Sequence, residues 1–199
     1  MNNDPGRLAQ QIDFILEIDK LKQVIRRSYL VDASRRENTA EHSWHLAMMA
    51  LLLCEHANEA VDPGRVMKMV LVHDIVEIDA GDTYLHDPVG ALDKAEREQA
   101  AAERLFGLLP ADQGRELRQL WQEFEARQTA EARFANALDR LMPLLHNLHS
   151  GGRTWWEHNI TRSQVVDRVQ HIGQGSETLW AYAQTIIAQA VELGYLRPE

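Results

Sequence analysis

Cysteine is nearly absent: one residue, Cys54, stands in 199. No internal disulfide can form, and a lone thiol in an apolar run reads as a small core hydrophobe. That usage suits a reducing, cytoplasmic setting. Proline and glycine are also scarce, at 6 and 11 residues, which excludes a collagen-like or low-complexity chain. No run approaches the roughly 18 uncharged apolar residues of a membrane span. The opening MNNDPGRLAQ holds no apolar signal core, so no membrane partner is expected. Positive charge is in deficit, with 21 Lys and Arg against 30 Asp and Glu, a formal charge of -9. Such a chain repels the backbone of long nucleic acid, yet can still hold one small phosphate beside a metal ion and an arginine. Strand-like alternation of useful length is missing as well.

What remains is helical periodicity. With 45% hydrophobic residues the chain has ample material for a core. An all-α fold of several helices is expected, as one domain over 1–199, with a core at about 8–149 and a terminal helix at about 161–193. Apolar positions 8, 12, 15, 16 and 21 predict a first helix. An irregular, mixed-charge stretch RSYLVDASRREN follows. Asn38 with Glu41 three residues on predicts a capping box opening a second helix. Its run SWHLAMMALLLCEHA is apolar nearly all round and predicts a central position. Asp62-Pro63 and Asp87-Pro88 read as caps for helices over 63–80 and 87–106. Further helices are expected over 112–127 and 130–149, the latter kinked or broken at Pro143.

Four positions carry the chemistry: His42, the pair His73-Asp74, and Asp139. The pair sits in MKMVLVHDIVEIDAGD, after a mostly apolar run. An imidazole beside a carboxylate in such surroundings is costly to bury unless something compensates both. A metal ion would. Asp139 lies in the largely apolar ARFANALDRLMPLL, so three helices would converge on one ion. Two imidazoles and two carboxylates favour a borderline ion: Mn, Co, Fe, Ni or Zn. Each residue taken alone has a structural reading, as a hydrogen-bonded core histidine or a salt-bridged aspartate. The four gain weight together.

Other groups follow from position. Glu77 stands one helical turn after His73, on its face, where it can relay a proton or orient a water. Asp82 follows Gly81 beyond the helix end, as a general acid or base or as a mere cap. Arg26, Arg27, Arg35 and Arg36 precede the His42 helix, as phosphate partners or as solvated charge. Trp155-Trp156 can stack a base or pack the terminal helix. His45 touches the site or simply packs.

The motifs ENTAEHSWH, HDIVEIDAGD and the Asp139 of ANALD resemble those of the HD-domain metal phosphohydrolases, named for the adjacent His-Asp pair. Within that superfamily the chain looks most like the bacterial 5'-deoxynucleotidases and related single-domain HD proteins found also in eukaryotes. The likeness runs from about 21 to 139 and more weakly onward. It implies an all-α fold and a metal held by His42, His73, Asp74 and Asp139. It implies catalytic roles for Glu77 and Asp82, and a phosphate contact from Arg27, with Arg26 as the one-residue alternative. It also implies a divalent cation such as cobalt or manganese, and a homodimer. The nucleotidases pair that arginine with a tryptophan, where this chain has Ser28. Between the HD pair and Asp139 only His86 occurs, whereas dinuclear members have extra histidines there; one ion is expected.

The reading is therefore a metal-dependent phosphomonoesterase acting on (deoxy)nucleoside 5'-monophosphates. One rival is a hydrolase of another small phosphate: a sugar phosphate, a nucleoside triphosphate or a cyclic nucleotide. Another is a non-catalytic regulatory protein that keeps its metal for structure, which would need neither Glu77 nor Asp82.

Overall fold

Capping chemistry sets most of the helix boundaries in the computed structural model, which describes residues 5–82 and 92–199. The chain opens with α1 (Pro5–Ile18), which tightens into a 3-10 turn at Asp19–Gln23. The mixed-charge stretch then forms a short antiparallel ribbon of β1 (Ile25–Tyr29) and β2 (Arg36–Asn38). This ribbon was not legible as alternation, because charged residues occupy both of its faces. It leaves the all-α class intact, since every other regular element described is helical.

Next comes α2 (Thr39–Leu53), capped by Asn38, with the predicted Asn38–Glu41 capping box in place. The helix is less enclosed than its composition suggested. Leu46 and Ala50 are buried, but Trp44, Leu51 and Leu52 are exposed. Asp62 caps α3 (Pro63–Val72), accepting a bond from the Gly64 N–H, with Pro63 at the first helical position. The expected single helix over 63–80 does not form. It breaks after Val72, and α4 (Glu77–Ala80) follows a tight turn. The backbone bonds explain the break. Ile75, Glu77 and Ile78 bond three residues back, to Val72, Asp74 and Ile75, at 3.0–3.2 Å. This is 3-10 rather than α spacing.

Beyond it lie α5 (Lys94–Phe106), α6 (Ala111–Ala126) and α7 (Ala130–His149). The proposed start at Asp87-Pro88, and His86, fall outside the described residues. Pro143 does not break α7, which is helical throughout. A proline in a helix removes the bond to the carbonyl four residues back, here that of Asp139. The long terminal helix is in fact three: α9 (Arg162–Val169), α10 (Ile172–Gly175) and α11 (Glu177–Glu192), preceded by α8 (Arg153–Glu157). Thr161 and Ser176 each cap a new start.

The centre of the molecule is α7, which packs on α2, α3, α6, α10 and α11. Phe134, Leu138, Leu141 and Met142 are buried along it. Truncating such a side chain costs about 2–5 kcal/mol. A second apolar cluster joins Phe14, Val72, Ile75, Val76, Leu105, Phe106 and Trp121. Met69 and Val70 belong to the first cluster, while Val72, Ile75 and Val76 belong to the second. The His73-Asp74 turn is thus anchored in both. No described helix is long and apolar enough to cross a membrane.

Candidate metal centre

Three buried side chains from three segments meet where α2, α3 and α7 converge. His42 comes from the first turn of α2, His73 from the end of α3, and Asp139 from the middle of α7; one donor atom from each lies within 4.8 Å of the others. His42 Nε2 is 3.0 Å from Asp139 Oδ1, and His73 Nε2 is 3.7 Å from the same oxygen. His73 Nδ1 faces the Val70 carbonyl at 2.9 Å. A carbonyl can only accept, so Nδ1 carries a proton in either charge state and the other ring nitrogen points at the carboxylates. Phe124 packs on the His73 ring and helps fix it.

Asp74 stands beside this triad. Its Oδ2 is 3.1 Å from His73 Nε2 and 4.0 Å from His42 Nε2. The same oxygen accepts a bond from Arg26 Nη1 at 2.7 Å. Glu77 follows Asp74, not His73. In a 3-10 turn side chains three apart eclipse, and Arg26 Nη1 accordingly lies 3.9 Å from Glu77 Oε2. The expectation that Glu77 shares the face of His73 assumed an α-helix that is not there. Thr39, fully buried, donates its hydroxyl toward Glu77 Oε2 at 3.1 Å.

Electrostatics separate the carboxyls. Burial alone would raise Asp139, but Arg140 and the two histidines outweigh it and hold the group well below the usual carboxylate range. Asp74 is also pulled down, because His73 and Arg26 overcome its burial. Glu77 goes the other way: burial and then the Asp74 charge raise it well above the ordinary glutamate value, against Arg26. Burial raises Asp82 too, although Arg26 opposes it. Burial disfavours the His73 imidazolium, yet Asp74 and Asp139 lift the group to about 10. Arg26 stays charged, since Asp74 and Glu77 outweigh its desolvation. The lowered pair, Asp74 and Asp139, stays ionised as metal ligation requires, while the raised pair, Glu77 and Asp82, is held closer to the protonated state that proton transfer uses.

The donors fit a divalent ion. They are two imidazole nitrogens and a carboxylate, all buried, in the N/O chemistry of borderline metals. Among the described residues, Arg26 and Arg140 are the arginines paired with the site's aspartates. Beside the site lies an open cleft that shares Arg26, Asp82 and Arg140 with the surroundings of the metal centre. Its polar lining includes Arg26, Arg27, Ser28, Asp82, Arg140 and Arg168, and its apolar lining Pro143, Leu144, Trp155, Val165 and Val169.

The sequence-predicted residues divide as follows. His42, His73 and Asp139 converge, with Asp74 at their edge. Glu77 and Asp82 lie close by, both within the field of Arg26. Arg27 is exposed and lines the cleft, whereas its neighbour Arg26 turns onto Asp74. Arg35 and Arg36 pair with Glu41 and Glu157 instead. Trp155 is buried on the cleft wall and Trp156 is exposed. Arg140 pairs with Asp139, the structural alternative its sequence position offers, while the sequence assigns no site role to Thr39 or to the buried Glu37. Glu37 stands next to charged neighbours in sequence, so nothing local distinguishes it from a solvated residue.

A family model described as HD domain matches residues 18–180. Among curated proteins, the chain is 33% identical over 142 residues to 5'-deoxynucleotidase HDDC2 of Bos taurus, covering 70% of this chain and 68% of that one. It is 30% identical over 135 residues to 5'-deoxynucleotidase HDDC2 of Homo sapiens, covering 67% and 65%. The match thus spans about two thirds of each relative. Among solved structures, it is 58% identical to a predicted metal-dependent phosphohydrolase from Magnetospirillum magnetotacticum MS-1, with a TM-score of 0.92 and coverage of 97% and 100%. A conserved hypothetical protein from Pyrococcus furiosus shares the fold, at TM-score 0.62 and 22% identity over 91% of this chain and 99% of that one.

Proposed function

Because this chain belongs to the HD domain family of metal-dependent phosphohydrolases, we propose that it removes the 5'-phosphate from (deoxy)nucleoside monophosphates. The observation that carries the reading is the convergence of buried His42, His73 and Asp139 beside a cleft walled by arginines and Asp82. The 5'-deoxynucleotidase names of the Bos taurus and Homo sapiens relatives support the substrate class.

In this reading Asp74 completes the ligand set with His42, His73 and Asp139. A divalent ion such as Co or Mn would supply Lewis acidity toward a phosphoryl oxygen and acidify a bound water. The protein supplies the rest. Arg26 is committed to Asp74, so the exposed cleft arginines Arg27 and Arg168 are open to a substrate phosphate, and Arg27, next to Arg26 on the ribbon, is the one assigned to it. Glu77, oriented by Thr39, and Asp82 divide proton transfer to and from the water and the departing 5'-oxygen. The apolar wall of Pro143, Leu144 and Trp155 accepts the nucleoside. The exposed stripe Trp44, Met48, Leu51 and Leu52 on α2 supports a homodimer.

Ser28 favours a second reading within the same chemistry. It lines the cleft where a bulky aromatic would narrow it, which leaves room for another small phosphate. One experiment separates these. Metal-stripped protein is reloaded with Mn, Co, Ni, Zn or Mg, and phosphate release is followed over 5'- and 3'-monophosphates, sugar phosphates and triphosphates. Metal-restored turnover confined to 5'-monophosphates is the expected result. Turnover of sugar phosphates or triphosphates alone would move the assignment to the second reading.

A further inference from the structure

Next to the metal centre, and outside the lining of the cleft, lies a buried carboxylate with no role in the chemistry above. Glu37 is 2% exposed. A carboxylate at that depth is costly unless its charge is matched. Three nitrogens surround it. Its Oε2 lies 3.3 Å from His42 Nδ1 and 3.6 Å from Arg26 Nε, and its Oε1 lies 3.8 Å from His146 Nδ1. His42 and His146 are themselves buried, and the Nδ1 atom of each lacks a hydrogen-bond partner among the described residues. Glu37 therefore faces two orphaned imidazole nitrogens and an arginine at once. His42 uses its other nitrogen toward Asp139, and Arg26 uses its Nη1 toward Asp74.

We infer that Glu37 is the positioning residue of the metal centre: it fixes His42 with the proton on Nδ1, leaving Nε2 for the ion, and holds Arg26 against Asp74. The carboxylate is delivered by β2, one residue before the Asn38 cap of α2. Its distance to His42 is therefore set by the same turn that starts the His42 helix. His146, two turns along α7 from Asp139 on the same face, lies against the other carboxylate oxygen and packs on the His45 ring. At 3.3 Å the His42 contact stands just beyond the usual N–H···O distance. Outer partners of this kind keep a ligating histidine in one tautomer and orientation. The inference rests on the metal centre proposed above and on no assignment of substrate.

The test compares Glu37→Gln with Glu37→Leu in the full chain, reading Zn affinity by competition with a chromophoric chelator. Melting of the metal-free proteins is followed alongside. The amide oxygen of glutamine still accepts from Nδ1–H, whereas leucine cannot. The expected result is a loss of Zn affinity of roughly 10- to 100-fold for Glu37→Leu and a smaller loss for Glu37→Gln. Nitrogen-15 spectra of the Zn-loaded wild type should show His42 protonated on Nδ1 and metallated on Nε2. Wild-type affinity in a folded Glu37→Leu variant, or metal on His42 Nδ1, overturns the inference. If Glu37→Leu does not fold, the wild-type spectrum decides alone. Normal metal binding with no nucleotide turnover would sink the substrate reading and leave this one standing; no Zn binding by the wild type would sink it.

Discussion

Arg26 Nη1 lies 2.7 Å from Asp74 Oδ2, joining the first strand of the ribbon to the turn after α3 across 48 residues. The pair is nearly dry, with side chains 14% and 13% exposed. Removing one member of such a pair strands the other charge, at a cost on the order of 3–5 kcal/mol. Arg26→Ala should therefore lower the melting temperature of the metal-free protein substantially. Arg27→Ala, at an exposed position, should leave melting near wild type and cut kcat/KM by about 10- to 100-fold, the worth of one charged hydrogen bond. Equal melting of the two variants would remove the distinction.

Metal binding should release protons. His73 is lifted to about 10 by Asp74 and Asp139 against its burial, so it is an imidazolium at neutral pH in the metal-free protein. An imidazole must shed that proton to ligate. Calorimetry in buffers of different ionisation enthalpy should report about one proton released per ion at pH 7, from this group. Affinity should fall as pH drops. Buffer-independent binding heats would contradict the His73 assignment.

Glu77→Gln should abolish turnover and stabilise the metal-free protein. Its carboxyl is raised well above the ordinary value by burial and by Asp74. A raised carboxyl favours folding while protonated, and that contribution is lost as pH climbs from the ordinary value through the raised one. At neutral pH the wild type carries this loss and glutamine does not. A gain on the order of 1 kcal/mol is expected, in the pattern of active-site residues held at a cost. Denaturant melts of both proteins at pH 5 and pH 8 would check it: the gap should widen at the higher pH.

Gly175→Ala should destabilise without touching the site. An added Cβ there would meet the backbone of α7, 2.7 Å from the Arg133 carbonyl carbon and 2.9 Å from Phe134 Cα. Neither can yield as a flexible side chain would. Overpacking of this kind costs roughly 1–3 kcal/mol, or about 2–4 °C of melting temperature per kcal/mol in a chain of this size. An unchanged melting curve would mean α10 is free to move off α7.

How much of this was legible in the sequence follows from the range of the forces. Caps are local, so Asn38–Glu41 and Asp62-Pro63 announce the starts of α2 and α3 without reference to anything distant. A His-Asp pair in apolar surroundings is conspicuous because burying it uncompensated is so costly, and Asp139 in an apolar helix is conspicuous for the same reason. The all-helical class and the residues of the metal triad could therefore be read directly from the chain. Tertiary structure alone decided the rest. The 3-10 turn at 73–76, held by contacts to two apolar clusters, aligns Glu77 with Asp74 instead of His73. The ribbon turns Arg26 inward and Arg27 outward, a choice that identical neighbours cannot signal. Glu37 earns its place only because His42 and His146, from α2 and α7, arrive on either side of it. Local chemistry names candidate ligands; which charges face one another is settled by packing between segments far apart in the chain.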